Sequence, residues 1–116
     1  MNLRTLVTAF VLLVSAGAAS GEELRIALIL GKTGPFEAYA RDTETGFMMG
    51  LEFLTGGKME IDGRKIRVLV KDDQLKPDLA RAALAEAYGD DKVAIAVGTT
   101  SSGATLAMLP VAAEYR

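Results

Sequence analysis

The sequence predicts an open, doubly wound α/β domain built on a parallel sheet. Two short aliphatic runs, Leu24 to Leu30 and Val93 to Val97, each stop at a glycine, Gly31 and Gly98, and each is followed by a segment with helical spacing. Between them Lys65 to Val70 alternates and Pro77 to Gly89 is periodic, so the order reads strand, helix, strand, helix, strand, helix. Such alternation implies parallel strands joined by right-handed crossovers, with helices on both faces. Of 116 residues, 50% are hydrophobic and 24% charged, a balance that fits one small core.

Residues 1–20 form a compositional block of their own. Arg4 supplies a basic start, Leu6 to Val14 an apolar stretch, and Ser15 to Ser20 a small-residue end. This is the three-part pattern of a secretory signal peptide, with cleavage compatible after Ala18, Ala19 or Ser20. The apolar part falls short of the roughly 20 residues a spanning helix needs, and no cysteine stands at the cleavage point to carry a lipid. The mature chain, 21–116, is therefore expected to be exported and soluble.

Leu24 to Leu30 is the first strand, and its lack of alternation predicts cover on both faces. The Gly31-Lys32-Thr33 triplet resembles the end of a nucleotide-binding P-loop. That motif needs a glycine five residues earlier, where Ile26 stands inside the strand, and Pro35 follows too soon for a helix to begin at Thr33. Phe36 to Thr55 is the first helix, with Phe47, Met48, Leu51 and Leu54 gathered on one face; Asp42, Thr43 and Thr45 compete as caps, and Gly56 and Gly57 end it.

Lys58 to Asp72 carries a hairpin signal, with Asp62-Gly63 as the turn and Ile66, Val68 and Val70 alternating on an outer strand. Asp72 and Asp73 end this strand. No further acids cluster near them in sequence, so they are read as structural, one tying the next loop and the other facing water. The second helix opens at Pro77, suited to a first turn, and closes at Gly89.

Val93 to Val97 is predicted as a buried strand. Thr99, Thr100, Ser101 and Ser102 come after Gly98, where a hydroxyl oxygen caps the first turn of the third helix. Free amides, the positive helix end and several hydroxyls at the carboxyl end of a strand also make a seat for a small anion. In open sheets ligands sit at those strand ends, near the point where strand order reverses, which sets the Gly31–Tyr39 and Gly98–Gly103 loops side by side. Pro110 is expected to kink or shorten the third helix.

Composition removes several functions. There is no cysteine and no histidine, hence no disulfide, thiol nucleophile, histidine-based dyad or ordinary zinc site; no metal or cofactor is expected. A net charge of -2 with dispersed basic residues leaves no footprint for nucleic acid. A small phosphate- or nucleotide-dependent enzyme would need a glycine-rich phosphate loop or a nucleophile with its base, and the chain offers neither, so no catalysis is expected.

Three segments together, GKTGPFEAYA, VKDDQLKPDLARAALAEAY and VGTTSSGATLAMLPVAAEY, give the chain a family likeness. It resembles the amino-terminal lobe of periplasmic substrate-binding proteins of ABC transporters, the Leu/Ile/Val-binding (branched-chain amino acid) family with the type I periplasmic-binding fold, over residues 24–116. The resemblance implies a flavodoxin-like half-lobe and a ligand site at Thr33, in a small-Gly-Pro loop with Gly34 and Pro35; at Tyr39, which borders the ligand side chain; and at Thr100, Ser101 and Ser102. In that family a serine, best matched by Ser102, and the first amides of the next helix, Gly103 among its residues here, hold the ligand carboxylate. Gly103 and Ala104 replace hydroxyl residues frequent in amino-acid binders, which widens the implied ligand from an amino acid to small aromatic or aliphatic acids. The implied partners are that ligand and an ABC permease, and the implied location is the periplasm. A ligand-sensing domain of a receptor or regulator with the same fold is the alternative. The family has two lobes that close on the ligand, so the sequence resembles a fragment that ends before the fourth strand and is expected to bind weakly or not at all alone.

Overall fold

The computed structural model describes residues 21–115; the signal-peptide reading of 1–20 lies outside the described residues. The elements are β1 (Leu24–Leu30), α1 (Glu37–Leu54), β2 (Glu60–Ile61), β3 (Arg64–Asp72), α2 (Pro77–Gly89), β4 (Ile95–Gly98) and α3 (Ser102–Glu114). They form one four-stranded sheet of order β2-β3-β1-β4. β1 pairs in parallel with β3 on one side and β4 on the other, while β2 pairs antiparallel with β3.

Strand order thus grows from β1 first toward β3 and then toward β4. Crossovers of one hand that travel in opposite directions place their helices on opposite faces. Leu28 and Leu30 pack with Ala40 of α1, with Phe47 and Val68 beside them. Ala27 and Ile29 face the other way, into a cluster with Ala80, Ala83, Leu84 and Ala87 of α2 and Ala104 and Met108 of α3. The unbroken aliphatic run of β1 therefore supplies two cores, as its lack of alternation implies.

The hairpin forms as the sequence suggests. Asp62 and Gly63 take positive φ values of 50° and 75°, the geometry of a two-residue turn whose twist matches its strands, and Ile61 pairs with Arg64 across it. Pro77 stands in the first turn of α2.

Four expectations need correction. α1 begins at Glu37 with Phe36 at its N-cap, so Asp42, Thr43 and Thr45 lie within the helix, and the Thr43 hydroxyl donates back to the Tyr39 carbonyl. Leu54, expected in the core, is 70% exposed. Leu54 is the last residue of α1, and the helix joins the core at Ala40 and Phe47, about two turns or more before it. β4 is shorter than the predicted Val93–Val97 strand and is not buried on both faces. Ile95 and Val97 stand opposite Ile26 and Leu28 on the α1 side at the sheet edge, and Ile95 is 51% exposed; burial is confined to Val93, ahead of the strand. Pro110 does not shorten α3, which continues to Glu114. The carbonyl deprived of its amide belongs to Leu106, which is exposed, so water can reach it.

Candidate functional site

The carboxyl ends of β1 and β4 are adjacent because those strands pair, Ile29 opposite Gly98. The two loops that leave them are tied directly: the Gly31 amide donates to Thr100 Oγ1 at 3.0 Å. Gly31 is buried, and a side chain there would meet Leu75. Beyond this tie a cleft of about 440 Å³ opens, lined by Phe36, Tyr39, Thr43, Thr99 and Thr100. The rings of Phe36 and Tyr39 meet edge to face, with centroids 5.7 Å apart and planes at 78°.

The hydroxyl residues at the start of α3 do not cap it as the sequence suggests. Thr99 Oγ1 accepts the Ser101 amide at 3.1 Å and donates to the Ser101 carbonyl at 2.7 Å. Thr105 Oγ1 donates to the same carbonyl and accepts the Thr99 amide. Ser101 is the N-cap, but no side chain bonds the first-turn amides, and no acidic residue occupies that turn. The threonines spend their hydrogen bonds on the loop, leaving the positive end of α3 without a compensating side chain.

Asp72 and Asp73 hold the other side of the loop, and neither simply faces water. Asp72 Oδ1 accepts the amides of Lys32 and Gln74, both at 2.9 Å, and of Thr33 at 3.4 Å, while Oδ2 accepts the Thr33 hydroxyl at 2.9 Å. Burial would raise the Asp72 pKa, but the Gln74 amide, the Thr33 hydroxyl and the amides of Lys32 and Thr33 outweigh it and hold the carboxyl below its ordinary value. Asp73 is 0% exposed; its Oδ1 accepts the Leu75 amide at 2.8 Å and its Oδ2 has no partner among the described residues. Burial, with the neighbouring Asp72 charge, pushes its carboxyl above the ordinary value despite that amide.

Of the residues singled out from the sequence, Tyr39 and Thr100 come together in the cleft wall. Ser101 sits half-buried at the start of α3, and Ser102 and Gly103 are exposed in its first turn. Thr33 is turned to Asp72, with both its amide and its hydroxyl engaged. Phe36 and Thr43 are wall residues that sequence reasoning did not assign to a ligand, and Thr99 was singled out only as one of the hydroxyl group. Phe36 carried a signal, an aromatic ring one helical turn before Tyr39 in an otherwise polar loop. A groove of about 490 Å³ along α1, lined by Arg41, Glu44, Thr45, Met48, Met49 and Glu52, is built from one helix alone and has no strand end or loop amide to fix a ligand. Among the described residues no group of three or more His, Cys, Asp or Glu is placed to hold a metal, and no helix is long and apolar enough to cross a membrane.

The sequence matches the family described as periplasmic binding protein over residues 23–116. No curated protein matches it. Among solved structures, an ABC-type branched-chain amino acid transporter protein from Rhodopseudomonas palustris is 68% identical, with a TM-score of 0.79, and the match covers 80% of this chain and 25% of that one. A solute-binding protein of an ABC transporter from Rhodopseudomonas palustris BisB5, in complex with 3,4-dihydroxybenzoic acid, is 26% identical with a TM-score of 0.72, covering 79% of this chain and 24% of that one. The branched-chain amino acid substrate-binding protein LivJ of Streptococcus pneumoniae, in complex with isoleucine, is 25% identical with a TM-score of 0.73, covering 80% and 26%. The chain spans about a quarter of the length of these structures. With a match that takes in nearly all of the described residues, the chain belongs to the periplasmic binding protein family.

Proposed function

We propose that the chain forms part of the amino-terminal lobe of an extracytoplasmic solute-binding component of an ABC importer, and that its ligand is a small carboxylate. The observation that carries this reading is the cleft at the β1 and β4 ends, where Thr100 lies beside the uncompensated amide end of α3. Thr100 Oγ1 already accepts the Gly31 amide, so its own proton is left to donate. A carboxylate seated there takes that proton and the first amides of α3, at Ser102 and Gly103. Charge-assisted bonds of this kind contribute about 1.5–3 kcal/mol each, with the helix end adding up to about 2. Tyr39 and Phe36 then border the apolar part of the ligand.

In this role the chain binds and releases rather than catalyses. Closure of a second lobe would supply contacts from the opposite side and exclude water, and delivery would be to a permease in the membrane. Residues 1–20 would direct export to the periplasm and be removed near 18–20.

The reading is tested by thermal-shift screening of the protein expressed from its natural reading frame, so that any sequence encoded beyond Arg116 is included. Amino acids and aromatic or aliphatic acids are compared with neutral sugars and metal cations. Stabilisation by carboxylates alone is expected; stabilisation by sugars or cations alone contradicts it.

A further inference from the structure

Resting on the reading of the cleft as a carboxylate seat, we infer that Leu75, which lies outside the cleft wall, is a positioning residue for it. Its side chain braces Gly31 and so holds the bond from the Gly31 amide to Thr100. Gln74 and Leu75 lead the chain from β3 toward α2 with φ values of 52° and 60°, a left-handed pair that contains no glycine. Side chains are costly in that region, and residues held there persist only where their surroundings dictate it. Here two acids dictate it. Asp72 Oδ1 accepts the Gln74 amide at 2.9 Å and Asp73 Oδ1 the Leu75 amide at 2.8 Å, each carboxylate bonding the amide two residues on. The Asp73 amide donates to the Leu30 carbonyl at 2.9 Å and the Lys76 amide to the Asp73 carbonyl at 2.8 Å. The turn is thus pinned both to the end of β1 and to the start of α2.

This turn delivers Leu75 to one place. A Cβ on Gly31 would overlap Leu75 Cδ2 and stand 3.4 Å from Asp73 Oδ1, so the leucine tip and the Asp73 carboxylate both lie against the Gly31 backbone. Gly31 is buried and Leu75 half-buried, and Leu75 belongs to neither of the two clusters that cover the faces of β1. Its packing serves the loop rather than the core. The Asp72 carboxylate that holds Gln74 also accepts the amide of Lys32, so the residue after Gly31 is tied to the same turn. Gly31 is therefore held through its Cα by Leu75 and through its amide by Thr100. Binding groups keep their geometry only when the residues supporting them are themselves locked, so shortening Leu75 lets Gly31 and the Thr100 hydroxyl drift.

Amide hydrogen exchange and calorimetric titration of the protein expressed from its natural reading frame test the inference, with isoleucine and 3,4-dihydroxybenzoate as probes. Leu75→Ala is expected to speed exchange at Gly31 at least about tenfold more than at Ala27 and Leu28. It is also expected to weaken whichever probe the unaltered protein binds by about fivefold or more. Leu84→Ala, in the cluster between β1 and α2, controls for lost stability: it should speed the β1 amides together and leave the affinity of the folded protein within about twofold. Leu75→Met is expected to match the unaltered protein. In the Leu75→Ala background, Gly31→Ala sets a methyl group in the space the leucine leaves and is expected to restore both readouts to within about threefold. Uniform exchange along β1 in Leu75→Ala, unchanged affinity in that variant, or an equal loss of affinity in Leu84→Ala overturns the positioning role and leaves the carboxylate reading standing. Binding of neither probe by the folded, unaltered protein counts against the carboxylate reading, and exchange at Gly31 then decides whether Leu75 holds the bond to Thr100.

Discussion

The Gly31 amide donates to the Thr100 hydroxyl at 3.0 Å, joining two loops whose residues lie 69 apart in the chain. One loop leaves β1 toward α1 and the aromatic pair; the other leaves β4 toward the open end of α3. This bond fixes the distance between the apolar wall and the polar wall of the cleft.

Removing the acceptor should loosen that distance. Thr100→Val keeps the branched shape but leaves the buried Gly31 amide unpaired, at an expected cost of about 1–3 kcal/mol, while Thr100→Ser stays near the unaltered protein. Urea unfolding measures the cost, and faster hydrogen exchange at the Gly31 amide in Thr100→Val locates it. Equal stability of the two variants would mean the bond holds nothing.

The adjacent acids should respond to pH in opposite senses. The lowered Asp72 pKa contributes stability that is present above the ordinary value of 3.8 and lost as pH falls below it. The raised Asp73 pKa gives a contribution that is complete below 3.8 and lost as pH rises through the higher folded value. Asp72→Asn is therefore expected to cost about 1–2 kcal/mol at neutral pH, a difference that shrinks in acid. Asp73→Asn is expected to be neutral or stabilising at neutral pH, with its gain vanishing below 3.8. Unfolding measured across that range decides, and a larger loss from Asp73→Asn at neutral pH contradicts the assignment.

Two close approaches should differ in how they tolerate a methyl group. Gly98 has φ 145° beside β1, and a Cβ there would run into the Ile29 carbonyl, which is backbone and cannot give way. The Cβ of an alanine at Gly31 would instead meet the flexible tip of Leu75. Gly98→Ala is expected to cost about 3 kcal/mol or more and Gly31→Ala about 1–2, both read by thermal unfolding. The reverse order would contradict the packing at the β1–β4 junction.

Lys71 links β3 to the far end of α2. Its ammonium lies 2.7 Å from Asp91 and 3.1 Å from Glu86. Burial would lower its pKa, but bonds and charge from Asp91 and Glu86 raise it above 10.5. The pair's stability is thus complete below 10.5 and lost as pH rises through the higher folded value. Lys71→Met is expected to cost about 1 kcal/mol at neutral pH and to flatten that alkaline loss in melting temperature. An unchanged alkaline limb counts against the ion pairs.

Much of the fold was legible because local chemistry decides it. The run at β1, the Asp62-Gly63 turn and Pro77 each carry their outcome in a few neighbouring residues. What escaped depends on distant neighbours. Ile95 and Val97 are as apolar as Leu28, yet they lie at an edge, and edge position is set by strand order. Asp72 reaches back 40 residues to Lys32, which no local pattern announces. At the cleft, the hydroxyl cluster was visible as a group, but the division of labour within it was not: Thr99 and Thr105 organise the loop, while Thr100 accepts the Gly31 amide and keeps its own proton.

The carboxylate seat is tested most directly by following backbone amide resonances of the isotope-labelled protein while a binding acid, then its neutral amide, is added. The acid is expected to shift Ser102 and Gly103 most, with Thr100 beside them, and the neutral amide to leave them in place. Shifts centred instead on the α1 groove at Arg41 and Met49, or equal shifts from acid and amide, would contradict a carboxylate held where β4 gives way to α3.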